Sequence, residues 1–318
     1  ELQTINRLLG LNGDHALPFH KGNDFVNVSA VPSEAGSALG GDTKISIGGK
    51  PFTTLRYDRR LPDLWPIRNA AGHPVTRVWP RDGSEGEQED HPHHQSFWFA
   101  HGDLSGLDFW HDPKLKVRPT SVERGSGKGR GFVESKHDWL KGNGELVCTD
   151  ARRIEFFAEG SARGIDFDIT IQAGNEGLRF GDTKEGTFAL RIASGLVADL
   201  GGELLNDSGK KGKATWGQPA RWIQARGEIA GTETAIVIAG HSENLRHPSR
   251  WQARNYGLLA ANPFGLQAFA GKPKGTGDLQ VAAGESARFR YRVLVFSGHP
   301  TTEEVERLLE GFTSASKL

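Results

Sequence analysis

Between Gly164 and Ala173 the chain sets Ile165, Phe167, Ile169 and Ile171 against Asp166, Asp168 and Thr170, and this two-residue period limits the fold more than any other feature. Successive side chains of a strand point to opposite faces, so such a segment buries one face of a sheet and wets the other. Short segments rich in β-branched residues and separated by Gly, Pro and Asp read as further strands at Phe25–Val31, Thr43–Ile47 and Phe52–Tyr57, and the series continues through Pro74–Trp79, Lys116–Glu123, Arg130–Trp139, Glu145–Ala158, Leu178–Phe180, Thr187–Ala193, Arg221–Gly227 and Glu233–Ala239. Near the end Phe289, Tyr291, Val293 and Val295 alternate with Arg288, Arg290 and Arg292, a row most simply taken as a solvated sheet face. Gly48-Gly49-Lys50-Pro51 signals a tight hairpin. The 42 glycines suit many short elements joined by turns.

Helix signals are few. Thr301 and Glu304 form a capping box, and Val305, Leu308, Leu309 and Phe312 follow at helical spacing, which predicts a C-terminal helix on the sheet edge over 301–318. Ile5, Leu8, Leu9 and Leu11 predict a short helix or arm over 1–21. More than a dozen strands without alternating helices predict one large antiparallel β-sandwich over 22–300.

Lys plus Arg and Asp plus Glu both number 39, so no basic footprint argues for nucleic acid. The longest apolar run, Thr234–Gly240, falls far short of the ~18 residues that read as a membrane span. A soluble protein is expected, possible export with a removed leader being compatible with the missing initiator methionine; the oligomeric state is open. The one cysteine, Cys148, lies in Leu-Val-Cys-Thr and reads as a small strand hydrophobe.

The chemistry concentrates in residues 85–112, which hold five of the twelve histidines among carboxylates and aromatic rings. A purely structural strand gains nothing from so many titratable groups, because each unpaired polar group costs ~1–3 kcal/mol when buried. On strand parity His93, Gln95, Phe97, Phe99 and His101 share one face, and His94, Ser96 and Trp98 the other. Two more polar stretches are Gly181–Gly186 with Arg191, and His247–Trp251 running on to Asn262. Trp98, Trp110 and Trp251 offer flat apolar faces for a pyranose ring, with Arg, Asn, Lys and Glu as oriented polar partners. Histidines at 93, 94, 101 and 247 suit acid–base work near neutral pH without large shifts.

Asp90–Asp103 with Asp108-Phe-Trp110, Asp182–Gly186, Arg246–Trp251 and Tyr256–Gly265 occur in an order that resembles the PmoA-like family, soluble bacterial proteins that carry the label methane oxygenase. The likeness runs from about Thr43 to Phe296, and the loop with Arg59-Arg60-Leu61-Pro62 departs from it. It implies a soluble all-β protein associated with carbohydrate catabolism; an embedded oxygenase subunit would need a span this chain lacks. The His-rich block followed by an acidic residue is also similar in arrangement to the galactose-mutarotase supersandwich, an analogy of fold alone.

These readings converge on a mono- or oligosaccharide as substrate, with no nucleic-acid or membrane partner. For mutarotation or epimerisation Glu185 is the base and His94 or His101 the acid, while Lys184 and Arg191 hold sugar oxygens. Candidate sugar contacts are His93, Trp98, Asp103, Trp110, Arg191, His247, Arg250, Trp251 and Asn262. Glycoside hydrolysis would pair Glu185 with Asp103 or Asp108. No cofactor is required by these schemes; a divalent metal on His91, His93 and His101, for elimination from a keto-glycoside, is the further option, and a non-catalytic carbohydrate-binding module is the competing class.

Overall fold

A computed structural model describes residues 24–313 apart from 32–38, 40 and 84–85, so the arm expected over 1–21 lies outside the described residues. In chain order the strands are β1 (Phe25–Ala30), β2 (Thr43–Ile47), β3 (Lys50–Arg56), β4 (Asp63–Leu64), β5 (Phe97–His101), β6 (Lys116–Gly125), β7 (Gly127–Lys128), β8 (Arg130–Leu140) and β9 (Leu146–Glu159). They continue as β10 (Ala162–Ala173), β11 (Leu178–Phe180), β12 (Gly186–Arg191), β13 (Glu203–Asn206), β14 (Trp222–Ile229), β15 (Thr232–Gly240), β16 (Arg250–Ala253), β17 (Leu258–Asn262), β18 (Leu279–Val281) and β19 (Ser286–Ser297). Among the described residues the α-helices are α1 (Leu266–Ala270) and α2 (Thr302–Thr313).

The strands form a nine-stranded sheet, ordered β16-β17-β12-β5-β4-β3-β2-β1-β7, and an eight-stranded sheet, ordered β13-β14-β15-β19-β10-β9-β8-β6; β11 and β18 pair separately. Every strand pairing is antiparallel, for instance β10 with β9 and β19 on either side. The fold is a large all-β antiparallel sandwich. Its filling is aromatic: Phe97 of the first sheet meets Phe167 of the second at 4.6 Å, and Phe188 stacks on Tyr291 at 4.2 Å. At the β2–β3 hairpin Gly48 and Gly49 both have positive φ, which a two-residue turn matched to strand twist demands.

Helix α2 starts at the expected cap, where the Glu304 backbone N–H donates to Thr301 Oγ1 at 3.2 Å. It does not sit on a sheet edge. Val305, Leu308 and Leu309 are buried against Trp222, Val237 and Leu294 on the outer face of the eight-stranded sheet. That packing also changes the arginine row: Arg292 is buried, donating to the Leu308 carbonyl at 2.5 Å and lying over Phe157 and Phe312, whereas Arg288 stays exposed beside Asp168. A guanidinium under a helix remains tolerable because Asp166 pairs with it at 2.6 Å.

Between the sheets lies a polar knot. Asp150 accepts from His137 Nδ1 and Trp139 Nε1, both at 2.7 Å, and from Arg152. Burial disfavours its charge, but Arg152 and His137 outweigh that and hold it far below the ordinary carboxylate range.

Candidate active site

The outer face of the nine-stranded sheet carries the histidine-rich segment. Register places Arg56, Asp63, Trp98, Ala189, Ala260 and Gln252 in one transverse row across β3, β4, β5, β12, β17 and β16. The two alanines in mid-row leave room above the sheet, and larger side chains fill it. His94 stacks on Trp98 at 5.3 Å, His91 on His94 at 4.8 Å, and Tyr256 on His91 at 5.3 Å. Arg191 lies over Tyr256, its guanidinium 4.7 Å from the ring centroid.

The loop carrying these rings is fixed from below by buried Arg77. Its NH1 donates to the Gln88 and Asp90 carbonyls and to Asp90 Oδ1 at 2.7 Å, and its NH2 donates to the carbonyls of His91 and His94. Asp90 Oδ1 also meets Arg191 NH2 at 2.7 Å. Burial opposes the Asp90 charge, yet hydrogen bonds from Arg191, His91 and Arg77 prevail and keep its carboxyl below the usual range. His91 and Ser96 take positive φ, so residues 91–96 form a turn and the regular strand begins only at Phe97. Strand parity therefore does not extend back through the histidines.

That turn decides which histidines reach solvent. His93 is half-buried and His111 exposed, their rings 4.7 Å apart, while Asp108 Oδ2 meets His111 Nδ1 at 2.9 Å. Glu185 projects from the start of β12 onto the same outer face; its carboxylate pairs with Lys184 and accepts from Gln252 Nε2 at 3.4 Å. Its charge is felt by both His93 and Tyr256. Burial first, then the neighbouring His111 and His91, push His93 down to about 4. Burial with His93 and Arg191 takes His94 far lower still. Both rings are therefore neutral at neutral pH, contrary to the expectation of small shifts.

Six of the sequence candidates lie elsewhere. His101 points between the sheets, 4.8 Å from Phe264, with Nε2 on the Gly181 carbonyl at 2.9 Å; burial pushes it down to about 4. Gly186, paired with it in register, has no side chain to displace it, and a Cβ there would approach His101 Nδ1 to 2.6 Å. Trp251 is buried in the core with its indole N–H on the Ala220 carbonyl. Asp103 is held by both oxygens to Arg179. Asn262 is fully buried and donates to the Thr183 carbonyl, which braces the loop that presents Glu185. Arg250 donates to the Gly217 carbonyl, and His247, lowered by burial, senses Arg221 and Asp207.

Trp110 belongs to the cluster, 5.1 Å from Trp98, but both indoles are buried, so neither presents an open face to a sugar; Trp98 only borders a cleft. His91 and His93 lie on the outer face and His101 on the inner one, so the three cannot share a metal. Among the described residues no group of three or more His, Cys, Asp or Glu is arranged to hold an ion.

The sequence profile of one family matches residues 42–310. The chain belongs to DUF6807, a family of unknown function. No curated protein matches the DUF6807 chain in sequence. Among solved structures it is similar to an α-galactosidase from Lactobacillus brevis, at TM-score 0.40 and 8% identity over 86% of this chain and 40% of that one. A GH36 α-galactosidase from Geobacillus stearothermophilus gives 0.40 and 10% over 86% and 41%. A galactose mutarotase related enzyme from Lactobacillus acidophilus gives 0.32 and 8% over 80% and 96%. The chain thus spans about two-fifths of the α-galactosidases it matches. Among the described residues no helix is long and apolar enough to cross a membrane.

Beyond the expected candidates, the cluster draws in Arg77, Asp90, His111, Gln252 and Tyr256. His111, Asp90, Gln252 and Tyr256 fall in stretches that sequence singles out, though not as candidates; Arg77 sits in an ordinary strand pattern, and its role depends on the loop that carries Asp90 to His94.

Proposed function

We propose that this protein is a carbohydrate-active enzyme that interconverts sugar forms by acid–base chemistry at the outer face of the nine-stranded sheet. Glu185 serves as the base: it takes the anomeric hydroxyl proton as the ring C–O bond breaks, or the proton of a carbon beside a carbonyl, which it returns to the opposite face of the resulting enediol. His111, oriented by Asp108, gives a proton to the ring or carbonyl oxygen and takes it back in the reverse transfer, and His93 beside it donates a hydrogen bond as a neutral imidazole. One base and one acid each contribute ~10²–10⁴-fold, which suffices for mutarotation or epimerisation. The observation that carries this reading is that the Glu185 carboxylate lies on the same outer face as the His93 imidazole, near enough for its charge to act on a ring that burial keeps neutral.

Hydrolysis is less favoured, because of the two alternative partners for Glu185, Asp103 is spent on Arg179 and Asp108 is engaged with His111. Proton NMR of a sugar panel with the protein tests the proposal. Accelerated anomeric or epimeric exchange that disappears in Glu185→Gln supports it. Saturable sugar binding without any exchange would instead mark a binding module and end the catalytic assignment.

A further inference from the structure

Beside His93 the outer face opens into a cleft of about 200 Å³ lined by Arg59, Arg60, Arg81, His93, Gln95 and Trp98. The lining sets these three arginines against one carboxylate, Asp63. Arg60 donates from NH1 to the Phe109 and Asp112 carbonyls and from NH2 to the Trp110 carbonyl, while the Asp108 and Asp112 carboxylates act on its charge without a direct bond. Arg81 has a side chain only 9% exposed; Nε and NH2 reach Gln95, NH2 also reaches Asp63 at 2.5 Å, and NH1 is buried with no partner. Asp63 is already divided between Arg56 at 3.0 Å and Arg81, so one carboxylate answers two guanidiniums. The exposed Arg59 side chain pairs with the adjacent Asp58, at 3.1 Å. Buried guanidinium N–H groups call for acceptors, and clustered arginines match the planar oxygens of carboxylates and phosphates.

We infer that the substrate is an anionic sugar, whose carboxylate or phosphate enters the cleft between Arg59, Arg60 and Arg81 while its ring lies at His93 and Glu185. This rests on the carbohydrate reading above and narrows it to a charged substrate class. By contrast, the depression on the outer face of the eight-stranded sheet is lined by Glu123, Glu134, Lys136, Arg152, Arg153, Asp168 and Arg288, where all three arginines already have carboxylate partners.

The test titrates the intact chain with D-glucuronate, D-glucose 6-phosphate and D-glucose while following the His93 ring and the tryptophan indoles by NMR. At least one anionic sugar should bind about tenfold or more tighter than glucose, as expected for a single charge-assisted contact. The two anionic arms tell carboxylate from phosphate. Arg81→Gln strips a buried bridge and threatens folding, so exposed Arg59→Gln is the informative variant: it should cut affinity for the anionic sugar severalfold and leave glucose unchanged. Equal affinity for glucose and both anions, or an anion preference indifferent to Arg59→Gln, overturns the inference. The two proposals fail separately. Anion preference without turnover of any sugar sinks the acid–base assignment alone, whereas equal turnover of neutral and anionic sugars sinks the cleft assignment alone.

Discussion

Acid should weaken this fold in a way that one buried histidine makes measurable. His101 is 1% exposed, ringed by Phe180 at 5.5 Å and Phe264 at 4.8 Å, and burial lowers its ring from 6.5 to about 4, against the pull of the Gly181 carbonyl. Its folded pKa is depressed, so the unfolded chain binds the proton more tightly. Stability is complete above about pH 7 and drains away as pH falls through 6.5 toward 4. At 1.36 kcal/mol per pKa unit, moving from pH 7 to pH 5 should cost about 2 kcal/mol from this ring alone. Other buried histidines, such as His94, erode stability over the same range, so the comparison must cancel them. His101→Gln keeps a donor for the Gly181 carbonyl and cannot take up the proton. Urea unfolding of both proteins at pH 7, 6 and 5, followed by tryptophan fluorescence, gives the two pH slopes. The variant should be less stable at pH 7 yet lose about 2 kcal/mol less on the way to pH 5. Parallel slopes would refute the claim that His101 is locked neutral in the core.

Three further outcomes follow from the structure. Glu185→Gln should lower kcat on the true substrate by about 10²–10⁴ with little change in melting temperature, whereas His101→Gln should retain turnover; kinetics with circular dichroism separate the two. Asp150→Asn leaves Arg152 buried without its carboxylate and should cost about 3–5 kcal/mol in urea unfolding at pH 7, a difference that shrinks only below pH 3.8, where the unfolded chain's carboxylate takes up a proton that the folded one still refuses. Gly164→Ala would set a Cβ 2.1 Å from the Phe157 ring, and the forced displacement should cost about 1–3 kcal/mol, read as a lowered midpoint in thermal unfolding.

The alternation of Ile165, Phe167, Ile169 and Ile171 gave away β10, and the glycine pair gave away the β2–β3 hairpin, because both signals are local. The site was legible only in part. Strand parity put His93 and His101 on one face, but the positive φ at His91 and Ser96 breaks the period, and His101 falls on the inner side. Trp251 and Trp110 carry the composition of a sugar platform and the location of core, since aromatic content cannot tell an open ring from a packed one. Arg77 and the Asp63–Arg81 pair were hidden for another reason: each matters through partners on separate loops or strands, a relation that spacing along the chain does not encode.

The transverse row from Arg56 to Gln252 has an evolutionary corollary. Because six strands each contribute one side chain at the same level, inserting a residue within any of them would turn that strand inside out, and in β3 or β4 it would drive Arg56 or Asp63 toward the core. The stretches 58–62 and 109–114, which carry Arg59, Arg60 and His111, lie outside regular strands for most of their length and escape that penalty. Relatives built on this scaffold should therefore diversify their ligands by remodelling those bordering segments in length and charge, while the floor changes only by one-for-one exchange.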